Sequence, residues 1–293
     1  MDTITKKAYG KINLALDTIG KRPDGYHLVR MIMQTVGIYD VITISKTNTS
    51  GISLRTNRSD LPCDEHNLIY QAAKLLIDEF SIEEGVSIHL EKHIPVAAGM
   101  AGGSTDCAAT LEGMNTLFSL GLSQEELMKR GVRLGADVPY CILGGTALAE
   151  GIGEVLTSLP DIPHCKVLLI KPNIDVSTKW VYTTLQWDKL KEHPDIDSMI
   201  AALSKHSLPG VCDTLGNVLE TVTIPAYPII EDVKNTMLSL GAKNAMMSGS
   251  GPTVFGLFFD ATIATKAFET CLDKFPDFQI ELTDFVTKEQ KKA

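Results

Sequence analysis

The feature that constrains this chain most is a run of small residues between two segments of different periodicity. The run extends from Pro95 to Ala109 and reads Pro-Val-Ala-Ala-Gly-Met-Ala-Gly-Gly-Ser-Thr-Asp-Cys-Ala-Ala. Residues 85–94 before it alternate between apolar and polar side chains, which is the period of a half-buried strand. Residues 108–120 after it are rich in Ala, Leu and Met and predict a helix. A strand, a loop without large side chains and a helix therefore follow one another here.

This strand–loop–helix segment predicts a binding site for an anion such as phosphate. Its glycines reach positive φ without steric cost, and the lack of bulk lets a ligand approach the backbone. Ser104, Thr105 and Asp106 are good N-cap residues and predict the start of the helix, where free N–H groups and the helix dipole favour negative charge. A plain turn that caps a helix is the alternative. The glycines match neither a Walker A loop nor a dinucleotide-binding fingerprint.

The overall composition favours a globular protein that binds small molecules. The 293 residues suffice for one large or two ordinary domains, and 44% hydrophobic with 22% charged residues allow a sizeable core. The formal net charge is −9, and no Lys/Arg cluster beyond short pairs stands out, whereas a nucleic-acid partner requires a basic face. We therefore expect small-molecule partners and no nucleic acid.

The cysteines and the hydropathy pattern predict a protein of a reducing compartment. The 6 cysteines are scattered singly and form no C-x-x-C pair, which disfavours zinc binding and dithiol chemistry. The N-terminal segment has no apolar core of the signal-peptide type, and no apolar run approaches the length of a membrane span. We expect a cytoplasmic protein that does not associate with a membrane.

Two stretches near the N-terminus carry side chains that suit a binding site. In Lys-Ile-Asn-Leu, alternation places Lys11 and Asn13 on one face of a predicted strand, although a solvated lysine is the commoner arrangement on such a face. The turn sequence Pro23-Asp24-Gly25 is followed by an aromatic ring at Tyr26 and a hydrogen-bonding ring at His27. A plain hairpin tip is the alternative for this turn.

Further candidates lie in the second half of the chain. Asp137 follows Gly-Ala and precedes Val-Pro, and by itself this context favours an N-cap role. The run Ser-Gly-Ser-Gly-Pro-Thr at residues 248–253 contains more Gly and Ser than a hairpin turn needs, so a substrate or phosphate contact is an alternative to a turn. His89 and His93 lie four residues apart in a predicted strand, and we expect no metal site there.

The order of the predicted elements indicates an α+β fold with two domains. Closely spaced prolines in residues 159–163 predict a boundary, which gives domains of residues 1–160 and 161–293, the second built on a small, mostly antiparallel sheet. The predicted strands are 4–16 with an interruption at Tyr9-Gly10, 28–36, 40–45, 52–55, 85–94, 146–150, 154–159, 166–171, 244–247, 253–259 and 278–282. The predicted helices are 67–80, 108–120, 123–134, 177–187, 196–203, 213–221, 228–240 and 263–275.

Taken in this order, the stretches around Lys11, Pro95, Asp137 and Ser248 resemble the superfamily of galactokinase, homoserine kinase, mevalonate kinase and phosphomevalonate kinase, the GHMP kinases. The resemblance covers nearly the whole chain. Within the superfamily, two further segments resemble the family whose members phosphorylate 4-diphosphocytidyl-2-C-methyl-D-erythritol. These segments are Lys-Ile-Asn-Leu followed by Arg-Pro-Asp-Gly-Tyr-His, and the stretch from Pro172 through Val-Ser-Thr to Tyr182.

The resemblance implies a fold and a reaction. The fold is the two-domain GHMP kinase architecture, with an N-terminal domain like ribosomal protein S5 domain 2 and a ferredoxin-like C-terminal domain. The reaction moves the γ-phosphoryl group of ATP to the 2-hydroxyl of 4-diphosphocytidyl-2-C-methyl-D-erythritol, in the non-mevalonate pathway to isoprenoid precursors. Mg²⁺ is expected with ATP, and the resemblance assigns it no protein ligand.

The resemblance also implies catalytic and ATP-binding residues. Asp137 is expected to be the general base that accepts the hydroxyl proton. Lys11 is expected to orient that hydroxyl and to stabilise charge near the transferred phosphoryl group. Backbone N–H groups of the loop are expected to bind the ATP phosphates, and the loop residues are Pro95, Val96, Ala97, Ala98, Gly99, Met100, Ala101, Gly102, Gly103, Ser104 and Thr105.

On the substrate side, the resemblance implies that Tyr26, His27 and Tyr182 hold the cytosine, while Asn13 and Thr178 position the substrate. A homoserine- or mevalonate-type kinase is the alternative enzyme, although its substrate has no nucleobase for these rings to bind. A non-catalytic nucleotide-binding protein on the same scaffold is the alternative outside enzymes, but such a protein has no reason to keep both catalytic residues.

The loop departs from the family pattern at four positions. Ala97 and Ala101 stand where glycine is frequent, Thr105 stands where serine is usual, and Cys107 replaces a usual alanine. Because alanine disfavours positive φ, we expect a less adaptable loop.

Overall fold

The computed structural model describes residues 2–292 and divides them into two compact units, each made from separate stretches of the chain. Unit 1 contains the chain up to Gly10, Ile38–Val96 and Ala101–Leu143, and unit 2 contains Lys11–Gly37, Ala97–Met100 and the chain from Gly144 onward. The division into domains of residues 1–160 and 161–293 stays a prediction.

Residues 2–292 form both strands and helices, often two or three of one kind in succession. The strands are β1 (Thr3–Lys21), β2 (His27–Thr47), β3 (Ile52–Thr56), β4 (Gly85–Glu91), β5 (Thr146–Glu150), β6 (Val155–Ser158), β7 (Lys166–Lys171), β8 (Gly216–Asn217), β9 (Asn244–Met247), β10 (Val254–Phe258) and β11 (Gln279–Asp284). The helices are α1 (Leu68–Phe80), α2 (Gly102–Leu117), α3 (Gln124–Gly131), α4 (Val138–Leu143), α5 (Thr178–Thr184), α6 (Ile196–Ser204), α7 (Leu208–Asp213), α8 (Glu220–Ala226), α9 (Ile229–Ser239), α10 (Ala261–Lys274) and α11 (Lys288–Lys292).

Unit 1 packs helices α1 and α2 with a sheet in which β4 lies between β2 and β3. β4 pairs antiparallel with residues 41–47 of β2 and parallel with β3. The predicted alternation in β4 is confirmed, because Val86, Ile88 and Leu90 are buried while His89 is exposed. This alternation makes the strand that leads into the small-residue loop part of the core.

Local capping signals in unit 1 set two helix starts. The Asn67 side chain accepts a hydrogen bond from the Ile69 N–H and begins α1. Ser123 and Glu126 form a capping box at the start of α3, with both reciprocal hydrogen bonds present. These starts are encoded within a few residues of sequence.

Unit 2 contains a four-stranded antiparallel sheet in the order β11-β7-β10-β9, with α9 and α10 packed against it. β7 and β10 are almost wholly buried, as strands at the centre of a covered sheet must be. In the same unit, residues 31–34 of β2 pair with β5, and residues 15–16 of β1 pair with β8. Helices beside antiparallel strands confirm the predicted α+β class.

Three element predictions were wrong. β1 and β2 are each continuous, whereas the sequence predicted breaks at Tyr9-Gly10 and between residues 36 and 40. Gly37 fits inside a strand because a Cβ there would lie 2.5 Å from Thr283 Oγ1, so close packing rather than a turn requires glycine. Residues 213–221, predicted as one helix, contain the end of α7, strand β8 and the start of α8.

Within residues 2–292, no helix is both long enough and apolar enough to cross a membrane.

Candidate active site

The small-residue loop, residues 95–101, leads directly into α2 and is here called the anion loop. α2 begins at Gly102, and its N-cap residue is Ala101, with φ of 56° and no side-chain capping bond. The predicted helix start at residue 108 and the capping role of Ser104, Thr105 and Asp106 were therefore wrong. Because no side chain caps the first turn, its N–H groups lack acceptors within the helix and are available to an anion.

Three residues give the anion loop its unusual backbone. Ala97, Gly99 and Ala101 have φ of 51°, 69° and 56°. The left-handed region is strained by about 1–2 kcal/mol for a residue with a Cβ, so both alanines hold conformations that glycine adopts without strain. Strain of this kind persists only where the surroundings fix the backbone.

Gly99 is the point at which the anion loop meets the second glycine loop in unit 2. A Cβ at Gly99 would lie 2.2 Å from Ser248 O, so no other residue fits without a shift. The Gly99 carbonyl oxygen accepts hydrogen bonds from Lys11 Nζ at 3.1 Å and from Ser248 Oγ at 3.0 Å. A hydrogen bond thus connects Gly99, which was predicted to bind phosphate, to Lys11, which was predicted to be catalytic.

Lys11 and Asn13 lie on one face of β1, as alternation predicted, but both are buried rather than solvated. Lys11 Nζ donates to Asn13 Oδ1 at 2.7 Å, and the Lys11 N–H donates to Met100 O at 3.1 Å. Asn13 Nδ2 lies 3.2 Å from Met31 Sδ. Asn13 Oδ1 and the Gly99 carbonyl oxygen thus both accept hydrogen bonds from the buried ammonium.

The second glycine loop, residues 248–251, is buried and held by side chains that the sequence analysis did not single out. Asn217 Nδ2 donates to Met247 O at 2.9 Å and to Gly249 O at 2.8 Å, while Asn217 Oδ1 accepts from the Leu219 N–H. Thr178, predicted to bind substrate, forms a 2.8 Å hydroxyl–hydroxyl hydrogen bond with Ser250. Asn217 lies within the stretch that was wrongly predicted as helix, which concealed its role.

Asp137 lies in the turn before α4 and is half-buried. Its carbonyl oxygen accepts the Cys141 N–H at 3.0 Å, which anchors the first turn of α4. A Cβ at Gly135 would lie 3.8 Å from Ser104 Oγ, so this turn runs close to the first turn of α2 within unit 1. The turn that contains Asp137 therefore passes beside the helix start that has free N–H groups.

Thr105 has both of its donors engaged within unit 1. Its hydroxyl donates to Tyr9 O at 2.7 Å, and its N–H donates to Ala101 O at 2.9 Å. Its expected role in ATP binding stays a prediction. Because both donors are occupied, that role would consist of fixing the first turn of α2.

His27 and Tyr182 form an aromatic pair in unit 2, with ring centroids 5.4 Å apart and planes at 32°. His27 is 8% exposed, and its Nε2 is buried without a hydrogen-bond partner among the described residues. Burial, and to a smaller extent the charge of Lys21, lowers the pKa of His27 below its ordinary value. Tyr26, which directly precedes His27 in the sequence, is 59% exposed. The pair therefore combines two aromatic rings in contact with an unsatisfied ring nitrogen.

Buried charges flank the anion loop in unit 1. Lys92 Nζ donates to Asp40 Oδ2 at 2.5 Å and to Asp106 Oδ2 at 2.6 Å. Burial and the neighbouring Asp40 carboxylate raise the pKa of Asp106 to about 8, against the opposing effect of the Lys92 ammonium. From the sequence, Asp106 was predicted only as a capping residue, and Lys92 was not singled out because residues 52 positions apart give no local signal.

One group of side chains of the metal-binding type occurs among residues 2–292. Asp64, Glu65 and His66 present ligand atoms within 4.8 Å of one another, and all three are exposed. Exposed acidic groups often occur without a metal, and the set before α1 has no buried member that would fix its geometry.

Comparison with known proteins assigns the chain to a family. The sequence models of the GHMP kinases N terminal domain and the GHMP kinases C terminal domain match residues 67–145 and 192–277. A 4-diphosphocytidyl-2-C-methyl-D-erythritol kinase of Lachnoclostridium phytofermentans is 58% identical over 268 residues, which is 92% of each chain. A Clostridium perfringens protein of the same name is 52% identical and covers 94% of this chain and 96% of its own. The chain belongs to the 4-diphosphocytidyl-2-C-methyl-D-erythritol kinase family.

Solved structures agree with membership of the 4-diphosphocytidyl-2-C-methyl-D-erythritol kinase family. A crystal structure of 4-(cytidine 5'-diphospho)-2C-methyl-D-erythritol kinase matches with a TM-score of 0.82 and 29% identity, covering 96% of this chain and 99% of its own. A homoserine kinase from Cytophaga hutchinsonii matches with a TM-score of 0.78 at 19% identity, covering 98% and 95%, and shares the fold. The predicted GHMP kinase architecture is confirmed, and the chain is an enzyme that uses ATP to phosphorylate a small molecule.

Proposed function

We propose that this member of the 4-diphosphocytidyl-2-C-methyl-D-erythritol kinase family transfers the γ-phosphoryl group of ATP to the 2-hydroxyl of 4-diphosphocytidyl-2-C-methyl-D-erythritol. The product is an intermediate of the non-mevalonate pathway to isoprenoid precursors. Relatives named for this substrate match at 48–58% identity over about nine-tenths of the chain, which supports the same substrate here.

The observation that carries the substrate assignment is the unsatisfied Nε2 of His27. A buried polar atom without a partner is unfavourable unless a ligand supplies one. The lowered pKa keeps the His27 ring neutral near pH 7. A neutral ring nitrogen can donate or accept a hydrogen bond at the edge of cytosine, depending on the tautomer. Tyr182 and the exposed Tyr26 supply aromatic faces for stacking. Homoserine and mevalonate have no base that would use these groups.

The proposed binding of the ATP phosphates rests on the anion loop and the first turn of α2. The N–H groups of Gly102, Gly103 and Ser104 precede the first intrahelical hydrogen bond, which Thr105 makes to Ala101 O. Gly103 is exposed, although the Leu68 side chain lies in van der Waals range of it. Such a helix start binds phosphate through backbone donors and the helix dipole.

Mg²⁺ enters this proposal as a component of the substrate MgATP. It usually keeps several waters and binds phosphate oxygens with one or two carboxylates. Asp137 is half-buried and Ser104 lies in the first turn of α2, and both side chains offer oxygen donors of the hard type that Mg²⁺ prefers. We assign neither as a ligand. The ion would neutralise charge on the phosphates.

The chemical step requires a base and a stabilising cation. We assign the base to Asp137, whose carboxylate accepts the proton of the 2-hydroxyl as its oxygen forms a bond to the γ-phosphorus. The bond from that phosphorus to the bridging oxygen breaks, and ADP leaves with the electron pair. We assign charge stabilisation to Lys11, because its ammonium is buried and preorganised by Asn13 and Gly99.

Asn13 and Thr178 have positioning roles in this proposal. Asn13 orients the Lys11 ammonium through Oδ1. The Thr178 hydroxyl is bonded to Ser250, and the loop that contains Ser250 meets Gly99. A substrate contact at Thr178 is therefore connected to the anion loop through buried residues of unit 2.

The proposal includes a cytoplasmic location and no nucleic-acid partner. All six cysteines are free, and five of them are buried, which suits a reducing compartment. The net charge of −9 opposes binding to a polyanion.

The experiment that tests the proposal is an ADP-release assay with MgATP and 4-diphosphocytidyl-2-C-methyl-D-erythritol, run beside mevalonate and homoserine. We expect turnover with the cytidyl substrate alone. Turnover with another alcohol would overturn the cytosine assignment of His27, and absence of turnover from folded protein with all three would overturn the reaction.

A further inference from the structure

Three buried ionisable side chains of unit 1, which the proposed reaction does not use, lie at the two ends of the anion loop. Lys92 directly follows β4, Asp40 belongs to β2, and Asp106 belongs to α2. Their side chains are 3%, 0% and 5% exposed. The loop of residues 95–101 lies in sequence between Lys92 and Asp106.

Hydrogen bonds connect both ends of the loop to this cluster. Lys92 Nζ bridges Asp40 Oδ2 at 2.5 Å and Asp106 Oδ2 at 2.6 Å. Asp40 Oδ1 also accepts the backbone N–H groups of His93 at 2.5 Å and Ile94 at 2.8 Å. The backbone that enters the loop and the helix that leaves it are therefore bonded to the same group of side chains.

Packing at Gly102 adds a steric link between the loop ends. A Cβ at Gly102 would lie 2.9 Å from Lys92 Nζ and 3.2 Å from Ile94 Cγ2. The first residue of α2 thus lies directly against the ammonium and the end of the incoming segment. The separation of the loop ends is consequently fixed by contact as well as by hydrogen bonds.

Stability alone does not account for three ionisable side chains in this position. Desolvation of buried ions often exceeds their mutual attraction, and apolar residues of similar volume are frequently as stable. The loop between them holds Ala97 and Ala101 at positive φ. A strained loop keeps such a backbone only when its ends are held, and this cluster holds them.

We propose that Lys92, Asp40 and Asp106 are positioning residues that hold the anion loop in the conformation that binds the ATP phosphates. We call these three residues the loop clamp. The inference rests on the proposed function in one respect, that the anion loop binds ATP. None of the three side chains touches substrate in this proposal; they act through the backbone of the loop and of the first turn of α2.

The test compares two substitutions at one position of the loop clamp. Asp106→Asn keeps an oxygen that accepts from Lys92, whereas Asp106→Ala removes the link to α2 and leaves Lys92 paired with Asp40. For Asp106→Ala we expect about a tenfold or larger rise in the KM for ATP, since a bond to a charged group is lost. The KM for the cytidyl substrate and kcat should stay within about twofold, and Asp106→Asn should stay close to wild type.

Met114→Ala is the matched control, since Met114 lies on the same helix, is fully buried and does not belong to the loop clamp. It should lower the unfolding midpoint and leave the KM for ATP unchanged. If Asp106→Ala behaves like Met114→Ala, or raises both KM values equally, the loop clamp is overturned. If Asp106→Ala does not fold, Asp106→Leu removes the hydrogen bond to Lys92 while filling the volume of the side chain. We then expect the same tenfold or larger rise in the KM for ATP from Asp106→Leu.

Calorimetry with adenylyl imidodiphosphate, without the second substrate, separates this inference from the proposed function. Nucleotide binding that weakens in Asp106→Ala supports the loop clamp even if the cytidyl substrate is not turned over. Equal nucleotide affinity in wild type and Asp106→Ala overturns the loop clamp. The proposed function still holds in that case if the wild type turns over the cytidyl substrate. Absence of nucleotide binding by the wild type overturns both.

Discussion

The Lys11 ammonium donates a 2.7 Å hydrogen bond to Asn13 Oδ1, two residues further along the same strand face. A second bond of 3.1 Å to the Gly99 carbonyl brings the ammonium to the anion loop. Lys11 is 5% exposed, so its position is set by these acceptors rather than by solvent. A buried, oriented cation stabilises developing charge more strongly than a mobile surface lysine.

Replacing Lys11 by Met should therefore reduce kcat by about 10²–10³-fold, the usual effect of losing one preorganised charge-stabilising donor. Steady-state kinetics with the cytidyl substrate measures this. Lys74→Met is the control, since Lys74 forms an exposed ion pair with Asp78 and should leave kcat unchanged. A Lys11→Met enzyme with near-normal kcat would contradict the assignment.

Asp137→Asn should bind both substrates with nearly normal affinity and lose about 10²–10⁴-fold in kcat, because the amide does not accept the hydroxyl proton. Single-turnover kinetics separates this loss from binding. The exposed Asp161→Asn serves as a control for the loss of one negative charge. Near-normal turnover in Asp137→Asn would exclude it as the base.

His27→Phe keeps an aromatic ring and removes the buried nitrogen. We expect the KM for the cytidyl substrate to rise about tenfold or more, because the base edge loses its hydrogen-bond partner. The KM for ATP should remain unchanged. Tyr26→Ala should act in the same direction through lost stacking. Equal increases for both substrates would argue against a cytosine site.

Ala101→Gly should stabilise the protein by up to about 1 kcal/mol, since relief of left-handed strain outweighs the greater freedom of glycine in the unfolded chain. Ala98→Gly, in the same loop, should destabilise by about 1 kcal/mol, because Ala98 is not among the positive-φ residues. The free energy of unfolding from urea titration measures both. Changes of the same sign would show that the backbone angles do not set these energies.

The stability of the protein should fall as the pH rises towards 8 because of Asp106. Its folded pKa of about 8 lies above the unfolded value near 4, so between these pH values the folded state binds a proton that the unfolded state does not. Asp106→Asn should remove this slope, which amounts to about 1.4 kcal/mol per pH unit at most. Urea titrations of the wild type and of Asp106→Asn from pH 5 to 8 measure the free energy of unfolding at each pH. The same pH dependence in both proteins would contradict the prediction.

Much of the site was predictable because it lies in continuous stretches of sequence. The anion loop was recognisable from its small residues, and the shared face of Lys11 and Asn13 followed from strand alternation. The order of the motifs was sufficient to predict the family, which the comparisons confirmed. The roles of Lys11, Asp137 and the cytosine-side residues stay predictions.

Other features depend on contacts between distant segments. Ser248 bonds to Gly99 across 149 residues, and Lys92 bonds to Asp40 across 52. The start of α2 at Gly102 was missed because good capping residues follow it, while the true N-cap is an alanine at positive φ. Capping preferences apply to helices in which a side chain accepts from the first N–H groups. The N-cap residue of α2 makes no such side-chain hydrogen bond.

The sequence by itself determined most of the elements, the shared strand face of Lys11 and Asn13 and the family, because periodicity and motifs are local properties of the chain. Only the tertiary structure decided that the His27 nitrogen is buried without a partner and that three ionisable side chains hold the ends of the anion loop. Burial and pairing are properties of packing, and they depend on which distant side chains fill the same space.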